Sequence, residues 1–282
     1  MMKKLIDISE HNGKVNLSLA SSYIDGVIAR CSWGWDKNQI DQQWHNNAKQ
    51  ANKLGIPLFA YHFCYARNEE EARKEAEVAL YACEKYKVNV IYYDIEYSDF
   101  QGELEADKYF NIAKTFCDII ELNGYSVGIY ANTSYFKTKL INDGFSKWTL
   151  WLADYGNNDG YDNWSGSLKY NPFNNVLIHQ FTSNAKEGIF KNIKGIPSKM
   201  LDGNVDYGLL KIFGNNIFSK EIRIGSKVKV KLNSEWYDGK EISSFVYNEI
   251  YDVIEIVDDR AVIGKNNKIT GAIHINDLYY AE

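Results

Sequence analysis

The stretch V-I-Y-Y-D-I-E-Y-S-D, residues 90–99, runs four apolar residues straight into Asp94 and sets Glu96 two places later. An apolar run that ends on acids reads as a buried strand reaching a polar rim. Side chains on a strand alternate faces, so Asp94 and Glu96 point one way and Ile95 the other. Two carboxyl groups on one face repel, which raises the pKa of at least one. Glycoside hydrolysis needs this: one carboxyl protonated near neutral pH and another ionised. A magnesium or calcium site built from the same acids is the competing reading.

Around this stretch, the first two-thirds of the chain alternates apolar runs with helical patterns. L-I-D-I-S (5–9), G-V-I-A-R-C-S (26–32), P-L-F-A-Y-H-F-C-Y (57–65), residues 88–97, S-V-G-I-Y-A-N (126–132), T-L-W-L-A-D-Y (149–155) and V-L-I-H-Q-F-T (176–182) read as strands. Residues 41–54, with Trp44, Ala48, Ala51 and Leu54 on one face, read as a helix, as do 69–86 and 106–123. This alternation implies a parallel sheet with right-handed crossovers. The fold class it predicts is α/β: an irregular (β/α) TIM-like barrel over residues 1–212. An open doubly wound sheet is the alternative, but the first turn carries no G-x-G-x-x-G. In a β/α barrel the strand C-termini form the active-site mouth. Asp7 ends the first strand, and Asp206, in G-N-V-D-Y, stands where a last strand is expected to return to that mouth.

The pattern changes near Ile212. Residues 213–221 read as a linker, and 222–282 as a second, small all-β domain. Its short runs are V-K-V-K-L (228–232), F-V-Y (245–247), Y-D-V-I-E-I-V (251–257), A-V-I-G (261–264) and A-I-H-I (272–275). Asp238-Gly239 and Asn266-Asn267 mark turns.

Composition narrows the function. Of 282 residues, 45 % are hydrophobic and 24 % charged, which fits a folded globular protein. Net charge is −5 and no basic stripe is present, which argues against nucleic acid as a partner. No apolar run reaches the roughly 18 residues of a membrane span. Aromatic residues make up 15 %, which suits either carbohydrate stacking or a Tyr-rich core. Cys31, Cys64, Cys83 and Cys117 lack metal-ligand spacing and read as reduced packing residues. The five histidines form no H-E-x-x-H, which argues against a zinc hydrolase; the leading reading expects no cofactor or metal. The N-terminus M-M-K-K-L-I-D-I-S-E reaches Asp7 after two apolar residues, so the expectation is synthesis in the cytoplasm and export by a route other than a signal peptide.

Taken in order, D-I-S, A-Y-H-F (60–63), Y-D-I-E (93–96), G-I-Y-A-N (128–132), W-L-A-D-Y (151–155), Q-F-T (180–182) and N-V-D (204–206) resemble the glycoside hydrolase family 25 lysozymes over roughly residues 3–212. The resemblance implies an N-acetylmuramidase that cuts the β-1,4 bond between N-acetylmuramic acid and N-acetylglucosamine in bacterial peptidoglycan. It implies that Glu96 is the catalytic acid, that Asp94 orients the substrate's acetamido group, and that Asp7 and Asp206 are the other acids of the pocket. It also implies substrate-binding roles for Tyr61, Tyr93, Tyr130, Trp151 and Gln180, with barrel packing as the alternative for the aromatic residues. His62 reads as a packing or orienting residue. The family often has Trp before the Gln, whereas this chain has His179.

The C-terminal piece resembles bacterial SH3-like wall-binding domains, with Trp236, Tyr237 and Tyr247 as a candidate ligand patch or as core. The combination resembles a phage endolysin released through a holin. A bacterial autolysin and a catalytically inactive peptidoglycan-binding protein are the alternatives.

Overall fold

The computed structural model describes residues 3–96, 104–161, 168–214, 222–266 and 268–281. The chain divides into two compact units, residues 1–120 with 125–216, and residues 217–282 with 121–124. Most of the expected linker, residues 215–221, lies outside the described residues. No helix among the described residues is long and apolar enough to cross a membrane.

The larger unit is a closed eight-stranded barrel, taken in chain order around the sheet. Its strands are β1 (Lys3–Ile8), β2 (Gly26–Trp33), β3 (Leu58–Phe63), β4 (Val90–Asp94), β5 (Ser126–Asn132), β6 (Thr149–Ala153), β7 (Val176–Thr182) and β8 (Asp202–Asp206). β1 to β7 are parallel, and β8 runs antiparallel to both β7 and β1. The helices α1 (Leu17–Ala20), α2 (Trp44–Leu54), α3 (Glu69–Cys83), α4 (Ala106–Leu122), α5 (Thr133–Thr138) and α6 (Leu209–Phe213) complete the unit.

Local chemistry explains these elements. α3 starts at Asn68, whose side chain accepts from Glu71 N, and three glutamates fill its positive first turn. Its buried alanines let it lie close against the sheet. α2 buries Trp44, Ala48 and Ala51, and Trp44 Nε1 donates to Ala82 O of α3 at 2.7 Å. Leu54, expected on the buried face, is 40 % exposed, because α2 ends there and the chain turns at left-handed Gly55.

The reversal of β8 also has a local cause. A parallel return needs a crossover that carries the chain back to the far end of the barrel, usually through a helix. Residues 183–201 contain only a 3-10 turn at Ala185–Glu187. The chain therefore stays at the mouth, and β8 enters the barrel there and runs down it. Asp202 lies opposite Asp7, and Asp206 lies opposite Lys3 at the far end.

Inside the barrel, Leu5, Ile28, Phe59, Val90, Tyr92, Trp151 and Ile178 form a buried, largely apolar floor beneath the mouth. Gly128 makes room for it: a Cβ there would stand 2.4 Å from the Tyr92 ring and 2.8 Å from Thr149 O.

The smaller unit is an antiparallel sheet in the order β12-β11-β10-β9-β13. Its strands are β9 (Lys227–Val230), β10 (Tyr251–Val257), β11 (Arg260–Lys265), β12 (Lys268–His274) and β13 (Leu278–Tyr280). Val228, Val230, Val253, Ile263 and Ile273 are among its core residues. F-V-Y, expected as a strand, forms a 3-10 turn over Ser244–Asn248 that buries Val246 alone. The Asp238-Gly239 turn is present, with Gly239 at φ 77°. Asn266 sits at φ 53°, while Asn267 lies outside the described residues.

Replacing Gly128 with Ala is expected to destabilise the protein by about 1–3 kcal/mol, the usual cost of overpacking a core. A lowered urea midpoint with an unchanged slope is the expected result. An unchanged midpoint would show that Tyr92 is not wedged against β5.

Candidate active site

β4 delivers the two carboxylates. Tyr92 and Asp94 face the barrel interior, and Ile95 is buried on the other side. The ladder continues past the strand end, where Ile95 N donates to Tyr130 O at 2.9 Å and Cys64 N donates to Asp94 O at 2.9 Å. Glu96 therefore emerges on the same face as Asp94, and both line a cavity of about 780 Å³ at the mouth. Asp7 from β1 and Asp202 from β8 line it too.

Asp7 is held by amides. Its Oδ2 accepts from Gln180 Nε2 at 3.0 Å and from Asn204 Nδ2 at 2.7 Å. Each amide is fixed at its own far end. Gln180 Oε1 accepts from the hydroxyls of Tyr130 (2.8 Å) and Tyr155 (2.6 Å), and Asn204 Oδ1 accepts from Trp151 Nε1 (2.8 Å). Gln180 Oε1 thus takes two hydroxyls, and that of Tyr130 also stands within hydrogen-bonding reach of Glu96.

The acids shift one another. Burial drives the Asp94 carboxyl well above its ordinary range, and the nearby charges of Glu96 and Asp7 push it further. Glu96 is raised by burial and by Asp7, against a lowering hydrogen bond with Tyr130. Asp202 is pushed up to about 9 by burial and by Asp7, to which it is hydrogen-bonded. Asp7 is raised by burial, against the hydrogen bonds from Asn204, Gln180 and Asp202. The hydrogen bond shared by the pair raises Asp202 and lowers Asp7. Among the described residues, no three His, Cys, Asp or Glu side chains converge closely enough to hold a metal ion.

Six of the expected barrel residues besides Asp94 line the cavity: Asp7, Glu96, Tyr61, Tyr130, Trp151 and Gln180. Two others do not. Asp206 lies at the opposite end of β8, where its Oδ1 accepts from Gly208 N (3.2 Å) and Leu210 N (3.0 Å) and caps α6. The acid that β8 brings to the mouth is Asp202. Tyr93 points out of the barrel, as the alternation of β4 requires. Its ring stacks on Phe116 at 3.9 Å, and its hydroxyl donates to Glu75 Oε2 at 2.5 Å. His62 is buried in the same layer, 5.6 Å from Phe116 between ring centres, with Nδ1 2.8 Å from Ser32 Oγ.

His179, where the family often has Trp, also faces away from the cavity. Its Nε2 donates to Asp154 O at 2.9 Å, so this departure leaves the groove lining untouched.

The structure adds lining residues that the motifs did not include, among them Arg30, Trp33 and Tyr65, and gives a place in the lining to Tyr155, the last residue of W-L-A-D-Y. Arg30 Nε donates to Asp41 Oδ2 at 2.9 Å, Nη2 donates to Glu10 Oε1 at 2.7 Å, and the guanidinium lies 5.0 Å over the Trp33 ring. In the smaller unit, Trp236 and Tyr247 pack against the core, and Tyr247 OH donates to Ser234 O. Tyr237 alone of the three expected patch residues is largely exposed, at 41 %. It lies against His274 and donates to Asp259 Oδ1 at 2.9 Å.

Comparison with known proteins places this architecture. No curated protein sequence matches the chain. Among solved structures it is similar to the modular autolysin LytC from Streptococcus pneumoniae in complex with a synthetic peptidoglycan ligand, at 29 % identity and a TM-score of 0.59. That match covers 73 % of this chain but 47 % of LytC, so the chain spans about half of that relative's length. The catalytic domain of endolysin ply40, from bacteriophage P40 of Listeria monocytogenes, is 24 % identical with a TM-score of 0.60, over 76 % of this chain and 97 % of that one. The Clostridium perfringens spore cortex lytic enzyme SleM is 19 % identical with a TM-score of 0.62, over 97 % of this chain and 84 % of that one. The last two similarities, both under 25 % identity, speak to fold alone. The family described as "Glycosyl hydrolases family 25" matches residues 6–188, more than half of the chain. With that match over the strands that carry Asp7, Asp94 and Glu96, the chain belongs to glycosyl hydrolase family 25.

Proposed function

We propose that this glycoside hydrolase is an N-acetylmuramidase, a lysozyme that cleaves the β-1,4 bond after N-acetylmuramic acid in bacterial peptidoglycan. The observation that carries the reading is the pairing of Glu96 with a buried Asp94 whose Oδ1 has no hydrogen-bond partner among the described residues. A substrate acetamido N–H supplies the missing partner. Glu96 is the proton donor, its pKa raised by burial and by the charge of Asp7.

In this reading Glu96 gives its proton to the glycosidic oxygen as the bond to the anomeric carbon breaks and its electron pair passes to that oxygen. The substrate's acetamido oxygen attacks the anomeric carbon and closes a cyclic intermediate, while Asp94 holds the acetamido nitrogen. Glu96, now ionised, takes a proton from water, which opens the ring. The Tyr130 hydroxyl stabilises Glu96 in that ionised state. Tyr61 and Trp151 supply aromatic surface near the acids.

We further propose a phage endolysin, made in the cytoplasm of the host and released to the wall through a holin. The smaller unit, residues 222–282, is proposed as an SH3-like wall-binding domain, its exposed aromatic being Tyr237. The joining of a lytic barrel to a small all-β unit supports the endolysin reading, and the LytC match supports a bacterial autolysin as the second reading.

Glu96→Gln is expected to keep the fold and lose about 10²–10⁴-fold in activity, because the amide cannot protonate the leaving oxygen. Mass spectrometry of digested peptidoglycan reads it out: products with muramic acid at the new reducing end should appear with wild type alone. Glucosamine or peptide ends would refute a muramidase.

Asp202 and Asp206 should separate cleanly. Asp202→Asn is expected to lower kcat/KM, whereas Asp206→Ala should cost about 0.5–2 kcal/mol of stability through the lost α6 cap and leave kcat/KM near wild type. The reverse pattern would move the fourth acid back to Asp206.

Tyr130→Phe removes the hydrogen bond that holds Glu96 down, so the Glu96 pKa rises further. The alkaline limb of the kcat/KM profile, where Glu96 loses its proton, should therefore move to higher pH. A shift to lower pH, or none, would show that Tyr130 does not touch the catalytic proton.

A further inference from the structure

The charges lining the cavity are mainly acidic: Asp7, Glu10, Asp94, Glu96 and Asp202 stand against the cations Arg30 and Lys199. Arg30 is engaged, with Asp41 and Glu10 taking its Nε and Nη2. Lys199 is exposed and makes no hydrogen bond or ion pair among the described residues.

Its backbone is nonetheless fixed. Lys186 Nζ donates to Ile196 O at 3.0 Å and to Ser198 O at 2.7 Å. On the other side, Ser198 N donates to Asn12 O at 3.3 Å, and Asn12 Nδ2 donates to Met200 O at 3.4 Å. The segment between β7 and β8 is thus clamped from two directions and holds out an uncommitted ammonium at the cavity. A fixed backbone with a free charged tip lowers the ordering cost of binding an anion.

We propose that Lys199 is a specificity-determining residue whose ammonium receives a carboxylate carried by the glycan strand. The inference rests on the muramidase reading. Sugar rings and acetamido groups are neutral, so the negative charge of a peptidoglycan strand resides in lactyl or stem-peptide carboxylates. The four acids around Asp94 exclude a carboxylate from the depth of the cavity, because like charges there would both have to be desolvated. Lys199 is the lining cation left to meet it.

Binding tests this independently of turnover. The full-length Glu96→Gln protein, alone and combined with Lys199→Met or Lys199→Arg, is titrated calorimetrically with purified glycan tetrasaccharides. One set is free of peptide and so carries lactyl carboxylates. A second carries stem peptides, whose own carboxylates remain, and a third has every carboxyl amidated. Lys199→Met should weaken binding of carboxylate-bearing fragments about two- to fivefold at low salt, the worth of one exposed ion pair, and Lys199→Arg should retain it. The difference should vanish in high salt and with amidated fragments. Loss on the peptide-free set identifies the lactyl group, and loss confined to the peptide-bearing set identifies the stem. Equal affinities for all variants, a loss that persists on amidated fragments, or no binding at all would overturn the proposal. Lys199-dependent binding by a protein whose wild type cleaves no glycan would sustain it and overturn the muramidase reading instead.

Discussion

Across the antiparallel β1–β8 pair, Asp7 stands in register with Asp202, and Asp7 Oδ2 accepts from Gln180 and Asn204. Burying a carboxyl is costly unless donors meet it. Here the donors come from β7 and β8 and are held by hydroxyl and indole groups of Tyr130, Tyr155 and Trp151. Residues on five strands thus share one hydrogen-bonded network around a single oxygen. The network exists because β8 enters from the mouth. Run the other way, β8 would leave Asp202 at the far end and Asp7 without its acid partner.

That arrangement sets the charge state of the whole mouth. Besides Glu10, which pairs with Arg30, four carboxyl groups line the cavity, and burial and like charge raise all four. Asp202 keeps its proton because it is buried beside Asp7. Glu96 is raised by burial and by Asp7, but Tyr130 limits the rise. In the proposed reaction, a group held in that balance gives up its proton to a leaving oxygen and regains it from water more readily than one pinned in either state. Tyr130 spans both halves of the device, since the same hydroxyl reaches Gln180 in the Asp7 network and Glu96 at the reacting end.

Much of this was legible in the sequence, and the parts that were not failed for physical reasons. Period-two alternation along residues 92–96 put Asp94 and Glu96 on one face. The same rule sends Tyr93 outward, so listing it with the substrate-binding residues contradicted the pattern that found its neighbours. D-G-N-V-D carries an acid at each end of β8, and only the strand's direction decides which one reaches the mouth. The signal for that direction was present, in the lack of a helical pattern between 182 and 202, but the expectation that the last strand returns to the mouth at its C-terminal end overrode it. Arg30 and Trp33 had no motif to announce them, because they converge only once the barrel closes, and Tyr155, the end of W-L-A-D-Y, shows its part only when Gln180 is brought beside it. In the smaller unit, one-letter patterns do not separate an aromatic ligand patch from core. Gly271 decides it for Trp236, whose ring fills the space where a Cβ would stand.

The outward-facing layer still belongs to the chemistry. Glu75, fully buried on α3, accepts from Tyr65 N at 2.7 Å through one carboxylate oxygen and from Tyr93 OH at 2.5 Å through the other. Tyr65 lines the cavity at the end of β3, and Tyr93 directly precedes Asp94. One carboxyl group behind the wall therefore ties the loop after β3 to the strand that carries the proposed catalytic pair. The stack of Tyr93 on Phe116 locks the same point to α4. Asp94 is thus positioned from both sides of the sheet: its peptide carbonyl by Cys64 N and the residue before it by Glu75 and Phe116. A buried glutamate on a surface helix has no packing advantage of its own. Its place is explained by the precision it gives to the strand end, where small displacements of a proton donor cost rate steeply.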